Sequence, residues 1–222
     1  MSLICVPLMD ESLDSQVKSA EGLECDLVEA RLDFLSGSPD LRMLSNLKQP
    51  LMVTCMPAWE GGRFKGSEED RFGLLRASLE HADYVTVELR AEEKLRNQLI
   101  EEVKSAGVKV VIAFHDFEKT PPSDEIIALL KEEESAGADI AKVAFKPETR
   151  ADVVEVLRAQ ASSGLKIPVI ALSMGELGGL TRVVGPLLGG FITFAAVSHE
   201  KRTAPGQYTL DEMKALKEIL WK

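Results

Sequence analysis

Eight short apolar runs, rich in residues that favour β-strands, recur along the chain and alternate with longer polar stretches. The runs cover residues 3–8, 27–33, 51–56, 84–89, 108–115, 140–145, 168–174 and 191–197. Helical spacing of apolar residues is found between them, in segments such as 67–80, 91–106, 123–136 and 150–163, and again in the closing segment 210–220. Alternating strands and helices predict a parallel sheet whose crossover connections are helical.

Eight strand–helix units in a chain of 222 residues fit a (β/α)8 barrel. We therefore predict an α/β protein in which residues 1–222 form one barrel domain. The competing architecture is a doubly wound open sheet, which normally carries a glycine-rich loop after its first strand. The chain has Pro-Leu-Met-Asp at residues 7–10 instead, which favours the barrel.

Charge and composition restrict the partners of this chain. The formal net charge is −10, with acidic residues spread along the whole sequence, and this argues against nucleic acid or an anionic membrane as a partner. A small anionic molecule remains compatible if a few arginines converge. No run of about 18 apolar residues is available to span a bilayer.

Cysteine and histidine usage leads to further expectations. Cys5, Cys25 and Cys55 are widely spaced within apolar runs, which is typical of reduced thiols in a cytoplasmic protein. Three histidines without paired His/Cys spacing offer little for a zinc site. We expect no metal and no cofactor.

Polar side chains stand at the ends of several predicted strands, where the active site of a barrel enzyme forms. Glu29 and Arg31 end the second run and, two residues apart, share one face of the strand. Glu60 follows the third run, Glu88 ends the fourth and His115 ends the fifth. These positions predict a polar site at one end of the barrel.

Lys142 is the most informative of these residues because it interrupts the apolar run Ile-Ala-Lys-Val-Ala-Phe at 140–145. One interpretation is a lysine that reaches solvent or pairs with a carboxylate. The other is a desolvated, neutral amine that attacks a carbonyl carbon. Polar residues at the ends of the other predicted strands favour the second interpretation. His115 would then be the proton carrier in the same cavity.

Taken together, these segments resemble type I 3-dehydroquinate dehydratases of the shikimate pathway over nearly the whole chain. The segments that carry the resemblance are VEARLD at 28–33, EGGRF at 60–64, FHDFEKTP at 114–121, GADIAKVA at 137–144, SMGELGGLTR at 173–182 and TAPGQ at 203–207. The histidine and lysine segments are the most specific. The resemblance implies a lyase that eliminates water from 3-dehydroquinate through a lysine Schiff base, commonly as a homodimer.

The resemblance also implies a role for each matching residue. Lys142 forms the imine, His115 is the general acid and base, and Glu60 orients His115. The implied substrate contacts are Glu29 and Arg31 with hydroxyls, Arg182 with the carboxylate, Thr203 and Gln207 on a closing loop, and Met174 as an apolar wall.

The chain departs from the family pattern at two positions. Many members have an arginine in the third strand where this chain has Met56. Arg63 is a candidate replacement for that arginine. Thr203 stands where the family has a serine, so a hydroxyl is kept.

Two other functions remain alternatives. A class I aldolase barrel would share a lysine in the sixth strand, although no convincing phosphate-binding glycine loop follows the seventh or eighth. A non-catalytic barrel that binds a carboxylic acid would leave the combination of Lys142, His115, Glu60 and Arg182 without a purpose.

Overall fold

The fold is a (β/α)8 barrel of eight parallel strands, as the alternating pattern predicts. The structure, a computed structural model, describes residues 2–202 and 206–221. The strands are β1 (Leu3–Leu8), β2 (Leu27–Arg31), β3 (Leu51–Thr54), β4 (Tyr84–Glu88), β5 (Lys109–Asp116), β6 (Ile140–Phe145), β7 (Val169–Ser173) and β8 (Ile192–Phe194). Neighbours pair in the order β7-β6-β5-β4-β3-β2-β1-β8, and the backbone N–H of Phe191 donates to the carbonyl of Val169 at 2.9 Å where β8 meets β7. The barrel is therefore nearly closed.

Helices cover the outside of the barrel. They are α1 (Leu13–Ala20), α2 (Glu68–Ala77), α3 (Glu93–Ser105), α4 (Ser123–Ser135), α5 (Arg150–Ser162), α6 (Gly179–Leu187) and α7 (Leu210–Leu220). Side-chain caps define several helix starts; Thr149 and Asp152 form a capping box at α5, and Thr209 and Glu212 form one at α7. After β2 the chain makes two short 3-10 helices, Leu32–Phe34 and Leu41–Asn46, where a regular unit would have an α-helix.

The barrel interior has an apolar floor and a polar upper layer. The floor includes Leu27, Met52, Val111, Ile140 and Ile170, which form one buried cluster. Side chains alternate between the two faces of a strand, so residues two positions further on also point inward. Those residues include Glu29, Thr54 and Lys142, which lie closer to the carboxyl ends of their strands. The alternation thus places the polar strand residues above the floor.

Candidate active site

A cavity of about 120 Å³ opens at the carboxyl ends of the strands. Seven of the residues predicted for the site line it: Glu29, Arg31, His115, Lys142, Met174, Arg182 and Gln207. Glu60 lies directly behind His115. Thr203 falls outside the described residues. The structure therefore brings side chains from most strands to one point, as expected for the mouth of a barrel.

His115 and Glu60 form a hydrogen-bonded pair. The Nδ1 atom of His115 lies 2.8 Å from Oε1 of Glu60, and the backbone N–H of His115 donates to the same oxygen at 3.1 Å. An oxygen that already accepts one N–H most readily accepts a second from Nδ1, so we assign the Nδ1–H tautomer. The lone pair of Nε2 then remains for chemistry in the cavity.

The pair favours neutral side chains. Burial, followed by the nearby Glu88 carboxylate, raises the pKa of Glu60 to about 9. Burial lowers the pKa of His115 well below its usual value, and the charges of Lys142 and Arg31 lower it further. A neutral imidazole in the substrate-free protein is a base that is ready to take a proton.

Lys142 projects from the middle of β6 into the cavity and is 7% exposed. Its Nζ lies 4.5 Å from the centre of the Phe194 ring, at the end of β8. No carboxylate among residues 2–202 and 206–221 forms an ion pair with it. The amine is thus held inside the cavity, where the carbonyl carbon of a ligand could reach it.

Arg182 enters the cavity from α6, the helix between β7 and β8. It is 4% exposed, its Nε has no hydrogen-bond partner among the described residues, and burial lowers its pKa to about 10. An unsatisfied buried guanidinium is costly to the folded protein. This arrangement is therefore suited to an anionic ligand, which would supply the missing acceptors.

Glu29 and Arg31 lie on the same face of β2, as their spacing predicts. Arg31 makes a bidentate ion pair with Asp33, at 2.8 Å for both bonds. Its Nη2 also lies 3.8 Å from the sulfur of Met56. Because Asp33 engages Nε and Nη2, Nη1 is the Arg31 nitrogen that remains for a ligand.

Arg63 does not line this cavity. Its guanidinium stacks on the ring of Phe34 at 4.1 Å, and it lines a neighbouring cavity beside residues 7–11. Its backbone N–H donates to Asp33 at 3.0 Å. The structure thus places the candidate replacement for the missing arginine outside the site, while Met56 itself lines the site.

The sequence placed Glu88 among the polar strand ends without giving it a role, and it did not point to Arg71. Glu88 lines the cavity and pairs with Arg71 of α2, which also donates to the Cys55 carbonyl at 3.0 Å and to Glu68. Burial raises the pKa of Glu88 to about 7 despite the neighbouring Arg71. The position of Glu88 at a strand end was a usable signal, whereas nothing in the sequence around Arg71 indicated that it is buried.

Phe117 is a second residue that the sequence did not reveal. Its ring lines the cavity, stacks near His115 with a centroid distance of 6.3 Å, and packs against Gly61. Gly61 has φ +86 and directly follows Glu60, so only glycine combines this backbone conformation with so close a ring. The Phe117–Gly61 contact joins the loop of Glu60 to the loop that follows β5.

The described part of the chain lacks both a metal-binding cluster and a membrane-spanning helix. Residues 2–202 and 206–221 contain no group of three or more His, Cys, Asp or Glu side chains arranged to hold a metal ion. Within that part of the chain, no helix is long and apolar enough to cross a membrane.

Comparison with known proteins agrees with this geometry. The family model for type I 3-dehydroquinase matches residues 4–220. A 3-dehydroquinate dehydratase from Methanosarcina barkeri is 37% identical over 96% of this chain and 92% of its own length. Among solved structures, 3-dehydroquinate dehydratase from Geobacillus kaustophilus has a TM-score of 0.93 at 29% identity, covering 100% of this chain and 91% of its own.

A further solved structure is type I 3-dehydroquinate dehydratase from Clostridium difficile with covalently modified comenic acid. Its TM-score is 0.90 at 27% identity, covering 99% of this chain and 92% of its own. The resemblance derived from the sequence motifs is thereby confirmed. The chain belongs to the type I 3-dehydroquinase family, the hydro-lyases that dehydrate 3-dehydroquinate in the shikimate pathway.

Proposed function

We propose that this chain dehydrates 3-dehydroquinate to 3-dehydroshikimate through an imine between Lys142 and the substrate ketone. The observation that carries this proposal is the buried Lys142 amine, which shares one cavity with His115 and has no carboxylate partner among the described residues. Condensation of the neutral amine with the ketone releases water and forms an imine, which takes up a proton from solvent to give the protonated imine. The Phe194 face, 4.5 Å from Nζ, is also suited to the positive charge of that imine.

The protonated imine withdraws electrons from the neighbouring carbon and makes its C–H bond more acidic. Nε2 of His115 removes this proton, and the electron pair of the C–H bond forms an enamine. The enamine electrons then expel the hydroxyl group, which leaves as water after taking the proton back from the imidazolium. One base that serves twice must act on a single face of the substrate, which corresponds to a syn elimination. Hydrolysis of the product imine frees Lys142.

Glu60 keeps the imidazole in place during both proton transfers. Its Oε1 holds Nδ1–H and the backbone N–H of the same residue, so the ring is fixed in orientation and tautomer. Glu60 therefore acts as an orienting carboxyl group.

The remaining side chains recognise the substrate. Arg182 binds the carboxylate, which takes no part in bond making, and so positions the reacting carbon. Glu29 and Arg31 bind ring hydroxyls, Gln207 contributes a further polar contact, and half-buried Met174 provides an apolar wall. Thr203 is proposed as a hydroxyl contact on the basis of its sequence motif.

A solved relative is compatible with covalent chemistry. The Clostridium difficile enzyme was solved with covalently modified comenic acid. A lysine in the middle of the cavity is a nucleophile suited to this. The experiment must therefore identify which residue of this chain carries the adduct.

Borohydride reduction in the presence of 3-dehydroquinate, followed by mass spectrometry of peptides, tests the imine directly. We expect a reduced adduct on Lys142 in the unaltered protein and in His115→Ala, and none in Lys142→Ala. Lys146→Ala is the matched control, because Lys146 is exposed just beyond the same strand. An adduct on another lysine, or turnover by Lys142→Ala, would refute the assignment.

We also propose that the protein is a cytoplasmic homodimer. The thiols of Cys5, Cys25 and Cys55 are free, which suits a reducing compartment, and dimers are common in the family. Sedimentation equilibrium would test the oligomeric state, and a monomer across the micromolar range would contradict a dimer.

A further inference from the structure

Three side chains on adjacent strands form a hydrogen-bonded row across the cavity wall. The hydroxyl of Thr54 on β3 lies 2.7 Å from Oε1 of Glu29 on β2 and 2.9 Å from the hydroxyl of Thr86 on β4. All three residues are buried and all three line the cavity. They are inward-facing residues above the apolar floor. The register pairs Met52 with both Glu29 and Tyr84, and Thr54 and Thr86 each lie two residues further along their strands.

The chemistry of the groups sets the direction of the protons in this row. A carboxylate offers only acceptors, so Thr54 donates its single hydroxyl proton to Glu29. The second contact of Thr54 must then accept a proton, and Thr86 supplies it. Thr86 is left presenting oxygen lone pairs, and Thr54 uses one lone pair of Oε1 of Glu29. Oε2 of Glu29 and Oγ1 of Thr86 are therefore the acceptors of the row that no threonine proton engages.

We infer that Thr54 and Thr86 are positioning residues that aim Glu29 at a hydroxyl group of the substrate and determine selectivity for that hydroxyl. The inference rests on the proposed contact of Glu29 with a ring hydroxyl. It deepens that proposal, because two otherwise unassigned threonines hold one oxygen of Glu29 and so set the direction in which the carboxylate points. A ligand lacking the hydroxyl leaves a buried acceptor unpaired, which is the basis of strong discrimination.

Threonine suits this role on physical grounds. Its β-branch restricts the side-chain rotamer on a strand, so the hydroxyl is held toward its neighbour at small entropic cost. Valine has nearly the same shape without the hydroxyl, and serine has the hydroxyl without the methyl group. Substitution by each residue therefore separates the hydrogen bond from the packing.

Kinetics with Thr54→Val, Thr54→Ser and Thr86→Val would test the inference, using 3-dehydroquinate and its analogues that each lack one ring hydroxyl. Glu29→Gln first identifies the analogue whose turnover depends least on Glu29. For 3-dehydroquinate we expect Thr54→Val to lower kcat/KM about 10-fold, since it breaks a hydrogen bond to a charged group. Thr86→Val should have a smaller effect of about 3-fold, because Thr54 still donates to Glu29.

Selectivity and rescue distinguish positioning from packing. With the analogue identified by Glu29→Gln, Thr54→Val should change kcat/KM by less than about 2-fold, and Thr54→Ser should restore most of the loss seen with 3-dehydroquinate. Equal losses with both substrates, no loss at all, or failure of serine to rescue would overturn the inference.

Borohydride trapping separates this test from the test of the proposed function. Lys142 should still be trapped by 3-dehydroquinate in Thr54→Val, because the hydrogen bonds of Thr54 in the described part of the chain go to Glu29 and Thr86 and not to the amine. If Lys142 is not trapped in the unaltered protein, the proposed mechanism fails. If it is trapped but Thr54→Val shows no selectivity effect, only the role of the threonine row fails.

Discussion

One oxygen of Glu60 serves both nitrogen donors of His115, the ring Nδ1 at 2.8 Å and the backbone N–H at 3.1 Å. The pKa of Glu60 is raised to about 9, so this acceptor function does not depend on a permanent negative charge. We therefore expect orientation of the imidazole to be the main contribution of Glu60.

Glu60→Gln should be far less damaging than Glu60→Ala. The two donors of His115 force the amide oxygen into the Oε1 position, so glutamine preserves the tautomer. We expect kcat to fall less than about 10-fold in Glu60→Gln and about 10²–10³-fold in Glu60→Ala, within the range of a lost acid–base function. Steady-state kinetics check this, and equal losses in both variants would show that charge is what matters.

His115 should titrate well below pH 6.5 in the substrate-free protein, because burial and the charges of Lys142 and Arg31 disfavour the imidazolium. Below pH 6.5 the unfolded chain binds a proton that the folded protein does not, so this residue reduces stability as the pH falls. NMR of the imidazole signals, assigned by comparison with His115→Ala, measures the pKa. Lys142→Met should raise it by removing one of the opposing charges, and a His115 pKa above 6.5 in the unaltered protein would contradict this reasoning.

Arg182→Met should weaken substrate binding and stabilise the substrate-free protein. The guanidinium has an unsatisfied Nε and a pKa lowered to about 10, so its removal relieves an unfavourable burial. Loss of charge-assisted hydrogen bonds to the substrate carboxylate should raise KM about 10–100-fold. Thermal unfolding without ligand, together with kinetics, checks both effects. Arg182→Lys is the control that keeps the charge, and a lower unfolding temperature for Arg182→Met would count against the argument.

Gly61→Ala should impair turnover without removing any polar group. A Cβ atom at this position clashes with the Phe117 ring, and φ +86 is unfavourable for alanine, so the loop that holds Glu60 must shift. We expect a loss of about 1–3 kcal/mol of stability and a lower kcat. Gly73→Ala is the matched control, because a Cβ there meets no atom within 4 Å and lies in α2. Unchanged kcat in Gly61→Ala would show that this contact does not position Glu60.

The sequence predicted the architecture well because the strands of a barrel are buried on both faces. The predicted bounds 3–8 and 140–145 equal those of β1 and β6. The predicted runs 27–33 and 191–197 are longer than β2 and β8, since apolar residues continue into buried loops and a 3-10 helix that hydropathy does not distinguish from strand. The short helices α1 and α6 were not singled out.

The candidate site was predictable where a polar residue breaks an apolar strand, as Lys142 and Glu29 do. The residues that contact these polar side chains were harder to predict, because they lie on other helices, strands and loops. Arg71 reaches Glu88 from a helix, and Phe117 reaches Gly61 across two loops. The row formed by Thr54 and Thr86 requires knowledge of strand register, since threonine is an ordinary residue in a β-strand.

Binding of the substrate carboxylate should also stabilise the junction between β8 and β7. β8 has three residues, and α6, which carries Arg182, bridges β7 and β8. An anion held by Arg182 would anchor α6, which is the connection between the two ends of the strand ladder. Deuterium uptake at the amides of β8 should therefore slow on ligand binding more than uptake in β5. Substrate binding would then lower the frequency of local opening at the β7–β8 junction.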